Sequence, residues 1–120
     1  MFKPNVKKLI VELDGEWEQR HRDDDRPPME EIKAELAKDK TLVVKDASRT
    51  AVSVVYSENT ADYTGIKNCV LRLLAARYTI EKGKKIVLFR ALTVSEEEIA
   101  AVEKAVEDEA AARRARIRGT

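Results

Sequence analysis

Histidine and cysteine occur once each, as His21 and Cys69, and glycine four times, in a chain of 120 residues. A lone cysteine excludes an intramolecular disulfide. With a single imidazole beside it, there is no set of four soft ligands for a structural zinc site. Gly15, Gly65, Gly83 and Gly119 stand too far apart to build a phosphate-cradling loop. Aromatic residues make up only 5 % of the chain, and the aromatic-rich strand motif of RNA-recognition domains is missing, as is a helix-turn-helix pattern. The first apolar run after Met1, Leu9-Ile10-Val11, falls far short of a signal-peptide core or of the roughly 20 apolar residues that span a bilayer. Lysine and arginine (23) nearly cancel aspartate and glutamate (22), so no global field steers the protein to nucleic acid or membrane. These absences lead to the expectation of a cytoplasmic protein without cofactor, metal or membrane attachment.

The length suits one α+β domain over residues 1–120, long enough to bury about two thirds of the surface that its unfolded chain exposes. Charged residues reach 38 % against 43 % apolar, which implies a heavily solvated surface. No internal repeat or low-complexity linker interrupts the chain. The one marked punctuation is Asp23-Asp24-Asp25-Arg26-Pro27-Pro28.

Val6, Leu9, Ile10, Leu13 and Trp17 recur at three- and four-residue spacing behind Asn5, and the pattern predicts an amphipathic helix over 5–22 with Gly15 as a weak point inside it. Pro28 suits the first turn of a second helix whose stripe is Met29, Ile32 and Leu36, ending near Lys38. The β-branched runs 41–45 and 50–56, separated by Asp46-Ala47-Ser48-Arg49, predict a hairpin. Residues 66–92 read as two long strands about Lys82-Gly83, because Lys67, Arg72 and Arg77, spaced by five, would scatter around a helix. The alternative is a helix over 62–76. Ser95 and Glu98 form a capping box, with Val94 and Ile99 as hydrophobic staple, opening a last helix from Glu96 to about Arg116. The predicted architecture is therefore two N-terminal helices, a four-stranded antiparallel meander and a long C-terminal helix, or ααββαβα if residues 62–76 are helical.

Pairing residues 71–80 with 85–92 about Lys82-Gly83 makes Arg77 and Arg90 diagonal neighbours on an apolar strand face, where a carboxylate or phosphate would satisfy both, as would surface glutamates or solvent. The same hairpin is apolar on both faces, so helices are expected to cover one and either a helix or a second subunit the other, which is the ground for expecting a homo-oligomer. Arg113, Arg114, Arg116 and Arg118, helped by Lys82, Lys84 and Lys85, form an alternative phosphate-gripping cluster, although an arginine-rich last turn is also what a helix dipole favours. The same dipole accounts for Glu96, Glu97 and Glu98 at the start of that helix. With Glu103, Glu107, Asp108 and Glu109 they read as a solvated face. Asp23-Asp24-Asp25 lacks the spacing of a calcium loop. His21 follows Trp17 by four residues, where ring packing explains it, and no nucleophile accompanies it in any motif. The reading that results is a non-enzymatic binding module, homo-oligomeric, that recognises a protein or an anionic small molecule, with nucleic-acid binding as the alternative.

Overall fold

Val6–Leu13 is a strand, β1, at the heart of the sheet in the computed structural model, which describes residues 5–80 and 85–118. The chain continues through α1 (Gly15–Arg20), α2 (Pro28–Ala37), β2 (Val43–Ser48), β3 (Ala51–Ser57), α3 (Tyr63–Arg77), β4 (Val87–Leu92) and α4 (Glu96–Arg118). The strands lie in the order β2-β3-β1-β4 and every neighbouring pair is antiparallel. It follows that β1 and β2 run parallel on either side of β3, joined through α1 and α2, while β3 and β4 run parallel on either side of β1, joined through α3. Two interleaved split βαβ units of this kind make the ferredoxin-like arrangement, here extended by α4.

The α+β class, the four-stranded antiparallel sheet and the C-terminal helix agree with the sequence reading, but two parts of it are corrected. The first expected helix, 5–22, is mostly β1. A central strand is buried on both faces, so Leu9, Val11 and Leu13 point one way while Val6 and Ile10 point the other. The summed pattern imitates helical spacing. Pairing with β3 on one side and β4 on the other decides the outcome. Only Gly15–Arg20 remains helical, and Asp14 caps it by accepting from the Trp17 N–H at 3.1 Å. Gly15 is thus the first residue of a short helix rather than a flaw within a long one. Because the first strand takes the centre, the sheet is not a meander.

The second correction concerns residues 66–92, where the helical alternative holds. Asp62 caps α3 by accepting from the Gly65 N–H at 2.7 Å. Ile66, Val70 and Leu74 then supply a narrow buried stripe at four-residue spacing. One such stripe suffices to hold a helix against a sheet, and the remaining circumference is free to carry the scattered Lys67, Arg72 and Arg77. β4 pairs with β1, not with residues 71–80. The expected Lys82-Gly83 turn lies outside the described residues.

The sheet separates two apolar clusters. On one face Leu9, Val11, Val52, Val54, Tyr56 and Val87 pack against Trp17, Met29, Ile32, Leu36, Ile66, Val70, Leu74 and Tyr78 of the first three helices. On the other, Val6 and Val55 meet Val102, with Val43, Val94, Ile99 and Val106 around them, under α4. The capping box is formed: Ser95 Oγ accepts from the Glu98 N–H at 3.2 Å and Glu98 Oε1 accepts from the Ser95 N–H at 3.0 Å. Among the described residues no helix is long and apolar enough to cross a membrane.

Candidate functional site

Arg77 and Arg90 are not cross-strand neighbours, since one ends α3 and the other stands on β4 opposite Ile10. Each already has a carboxylate. Arg77 donates to Glu31, which also holds Arg26 Nε at 3.2 Å, and its guanidinium lies 5.5 Å from the Tyr78 ring centre. Arg90 sits 3.7 Å from Glu12. Two arginines of α4 have acidic neighbours on their own helix: Arg113 is 3.9 Å from Glu109 and Arg114 is 3.6 Å from Glu107. Arg116 and Arg118 belong to the last turn of α4, and Lys82 and Lys84 lie outside the described residues. Lys85 is exposed, immediately before β4.

The geometry around Lys85 is more informative. The Asp14 N–H donates to the Ile86 carbonyl at 2.8 Å, and the Leu13 N–H donates to the Thr50 carbonyl at 2.9 Å. Even-numbered residues of β1 therefore bond to β4 and odd-numbered ones to β3. Carried along the antiparallel register, this alternation turns the N–H and C=O groups of Leu88, Arg90 and Leu92 toward β1, and those of Val87, Phe89 and Ala91 toward the open edge. No described strand pairs with that edge.

Beside the edge runs a groove of about 470 Å³. One wall is the outward stripe of α3, Tyr63, Lys67 and Leu71, and the other is Lys85 to Phe89 with Ile80. Tyr63 and Phe89 meet edge to face with ring centres 6.1 Å apart, and Lys67 Nζ lies 5.8 Å from the Tyr63 ring centre. Among the described residues the large apolar side chains left most open are Tyr63, Leu88 and Leu92, at 41 %, 40 % and 46 % exposure. All three belong to β4 or to the wall facing it.

Other chemically suggestive groups have structural employment. His21 stacks on Trp17 with ring centres 4.3 Å apart, meets Tyr78 edge to face, and its Nδ1 donates to the Trp17 carbonyl at 2.9 Å. Burial pushes the Cys69 thiol above its ordinary pKa, the reverse of what a reactive thiolate needs. Among the described residues no group of three or more His, Cys, Asp or Glu side chains could hold a metal ion. Tyr56, Tyr78 and Phe89 point into the apolar cluster under the first three helices. Among the described residues the apolar cluster under α4 holds no aromatic ring.

The sequence singles out Lys85, offers Tyr63 only as a ring on which a base could stack, and sets Leu71, Leu88 and Leu92 on one apolar strand face; it does not bring them together with Lys67. A signal for Tyr63, Lys67 and Leu71 existed in the four-residue spacing of 63, 67 and 71, a second amphipathic stripe beside 66, 70 and 74. Fold and site together define a class: an α+β domain whose sheet is covered on both faces and, among the described residues, ends on one side at an unpaired β4 with a helix-walled groove alongside. Comparison with family models, curated proteins and solved structures finds no match for the chain.

Proposed function

We propose that the protein is a non-enzymatic binding module that captures an extended segment of a partner protein by adding it as a strand to β4. The observation that carries this reading is a coincidence at one edge. The outward N–H and C=O groups of Val87, Phe89 and Ala91 lie where all three of the most open large apolar side chains, Tyr63, Leu88 and Leu92, are gathered. In strand addition the main-chain bonds supply affinity and pockets for alternate side chains supply selectivity. The groove between α3 and β4 offers such a pocket.

Competing readings have less support. An anionic small ligand between Arg77 and Arg90 would have to displace Glu31 and Glu12. Nucleic acid at the α4 arginines would meet the carboxylates of Glu107 and Glu109 beside them. A homo-oligomer would be favoured by a hairpin with two bare apolar faces, but the sheet has helices on both. A cytoplasmic setting agrees with a single half-buried thiol.

The test is selection of short random peptides displayed on phage, followed by titration of synthesised winners into isotope-labelled protein with amide chemical shifts as readout. The expected footprint covers Val87, Phe89 and Ala91 together with Tyr63, Lys67 and Leu71. A footprint confined to β2 or α4, or no selected peptide at all, would overturn the reading.

A further inference from the structure

We infer that the segment accepted at β4 is acidic, carrying carboxylates at alternate positions among apolar residues; this deepens the strand-addition reading and rests on it. Most lysines near acidic side chains are neutralised within the molecule: Lys7 by Glu58, Lys8 by Glu98, Lys33 by Glu30 and Asp46, Lys38 by Glu35, Lys104 by Asp108. Four described lysines, Lys40, Lys45, Lys67 and Lys85, have no carboxylate partner among the described residues, and of these Lys67 and Lys85 line the one groove together. Lys67 instead rests over the Tyr63 ring.

Side chains of an added strand alternate between the two faces of the sheet. Those on the α3 side enter the groove, where Leu71, Ile80 and Phe89 offer apolar contact and the ammonium groups of Lys67 and Lys85 await a carboxylate. Those on the α4 side lie beside Leu88 and Leu92, with Arg90 between them already held by Glu12. The matching segment places glutamate or aspartate among its groove-facing residues and aliphatic residues on the opposite side.

The same charges disfavour a second copy of this chain. Joining β4 to its own copy about a twofold axis sets both α3 helices on one face of a continued sheet, with Lys67 and Lys85 of one protomer turned toward those of the other. Like charges brought together at an interface are repulsive, and such juxtapositions serve to reject wrong partners.

The experiment uses the displayed peptide library, with Lys67→Glu/Lys85→Glu protein as the comparison. Peptides that shift the β4 amides are expected to alternate apolar with acidic residues and to bind more weakly as sodium chloride is raised. The double reversal should weaken them by about tenfold, the sum of several rim charge interactions. A lysine-for-glutamate version of the same peptide should prefer the reversed protein. Neutral peptides that footprint on β4 and are indifferent to the double reversal would overturn the acidic class while leaving strand addition intact. Absence of any β4 footprint would remove both. A dimer by native mass spectrometry whose β4 amides are protected in the free protein would assign the edge to a second copy and overturn the inference.

Discussion

The sheet has two edges, β2 and β4, and they are treated differently. At β2 the register against β3 breaks between Asp46 and Ser48, a bulge that twists an edge away from further pairing. The adjacent hollow beneath α2 is lined by the charged residues Asp25, Arg26, Glu30 and Lys33, the last three committed to local ion pairs, with Lys33 2.9 Å from Asp46 on the strand itself. At β4 the register runs unbroken through six pairs, Leu88 and Leu92 stay open to solvent, and the neighbouring Lys67 and Lys85 have no carboxylate partner among the described residues. Bulges and self-satisfied charges are how proteins close an edge. An edge without them, walled by a groove, is the one where a visiting strand is expected.

The largest effect should come from removing the anchor of that wall. Leu74 is fully buried at the C-terminal end of the α3 stripe. Leu74→Ala should cost about 2–5 kcal/mol, the usual range for a leucine truncated in a core. Denaturant unfolding checks the value. Amide exchange on the folded variant should show protection falling in α3 before β2 and β3. A loss below about 1 kcal/mol would mean that α3 is held by something other than its stripe.

A pair of proline substitutions separates the two sides of β4. Arg90 turns its N–H toward Ile10 of β1, so Arg90→Pro should remove a ladder bond and cost on the order of 1–3 kcal/mol. Ala91 turns its N–H outward, and proline is tolerated at such edge positions. Ala91→Pro should therefore leave the melting temperature nearly unchanged while abolishing peptide capture. Equal destabilisation by both would show that the alternation assigned to β4 is out of phase.

How much of this was legible in the sequence depended on whether a segment carries its own signal. The capping box at Ser95, the Pro28 start of α2 and the β-branched hairpin are local chemistry and they form, although the hairpin turns at Arg49-Thr50 and Asp46 to Ser48, expected in the turn, extend β2. β1 was hidden because burial on both faces lays two period-two patterns over each other, and their sum at Val6, Leu9, Ile10 and Leu13 is a helical period. α3 was ambiguous because its buried stripe is only Ile66, Val70 and Leu74, and charges elsewhere on a helix carry no period when a single stripe is covered. The candidate site was least legible of all. It joins Tyr63 to Phe89 and Lys67 to Lys85 across a strand order, β2-β3-β1-β4, that puts the first strand beside the last. No local pattern encodes that neighbourhood.

The smallest predicted effect lies where β4 hands over to α4, the end of the edge that is closed rather than open. Lys8 of β1, paired with Leu92 in the sheet, reaches Glu98 Oε2 at 2.8 Å, and Glu98 also accepts from the Ser95 N–H. The Lys8 ammonium first, and the Ser95 N–H second, lower the Glu98 carboxyl from its ordinary 4.5 to about 2. A carboxylate whose pKa is depressed on folding stabilises the native state fully above its unfolded value, and that contribution is lost as pH falls through the folded one. Glu98→Gln should accordingly be less stable than the unaltered chain at neutral pH, with the gap closing as pH drops from about 4.5 toward about 2. Ser95→Ala removes the acceptor for the Glu98 N–H and should cost about 1 kcal/mol. Most of that loss should persist across the same pH range, because a hydroxyl does not titrate there; the part that comes through the Ser95 hydroxyl's bond to the Glu98 carboxylate should fade as that carboxylate is protonated. Denaturant midpoints measured at a series of pH values check both variants. A Glu98→Gln gap that is independent of pH would show that the carboxylate is not what ties α4 to β1, and would leave the cap alone to hold the closed end.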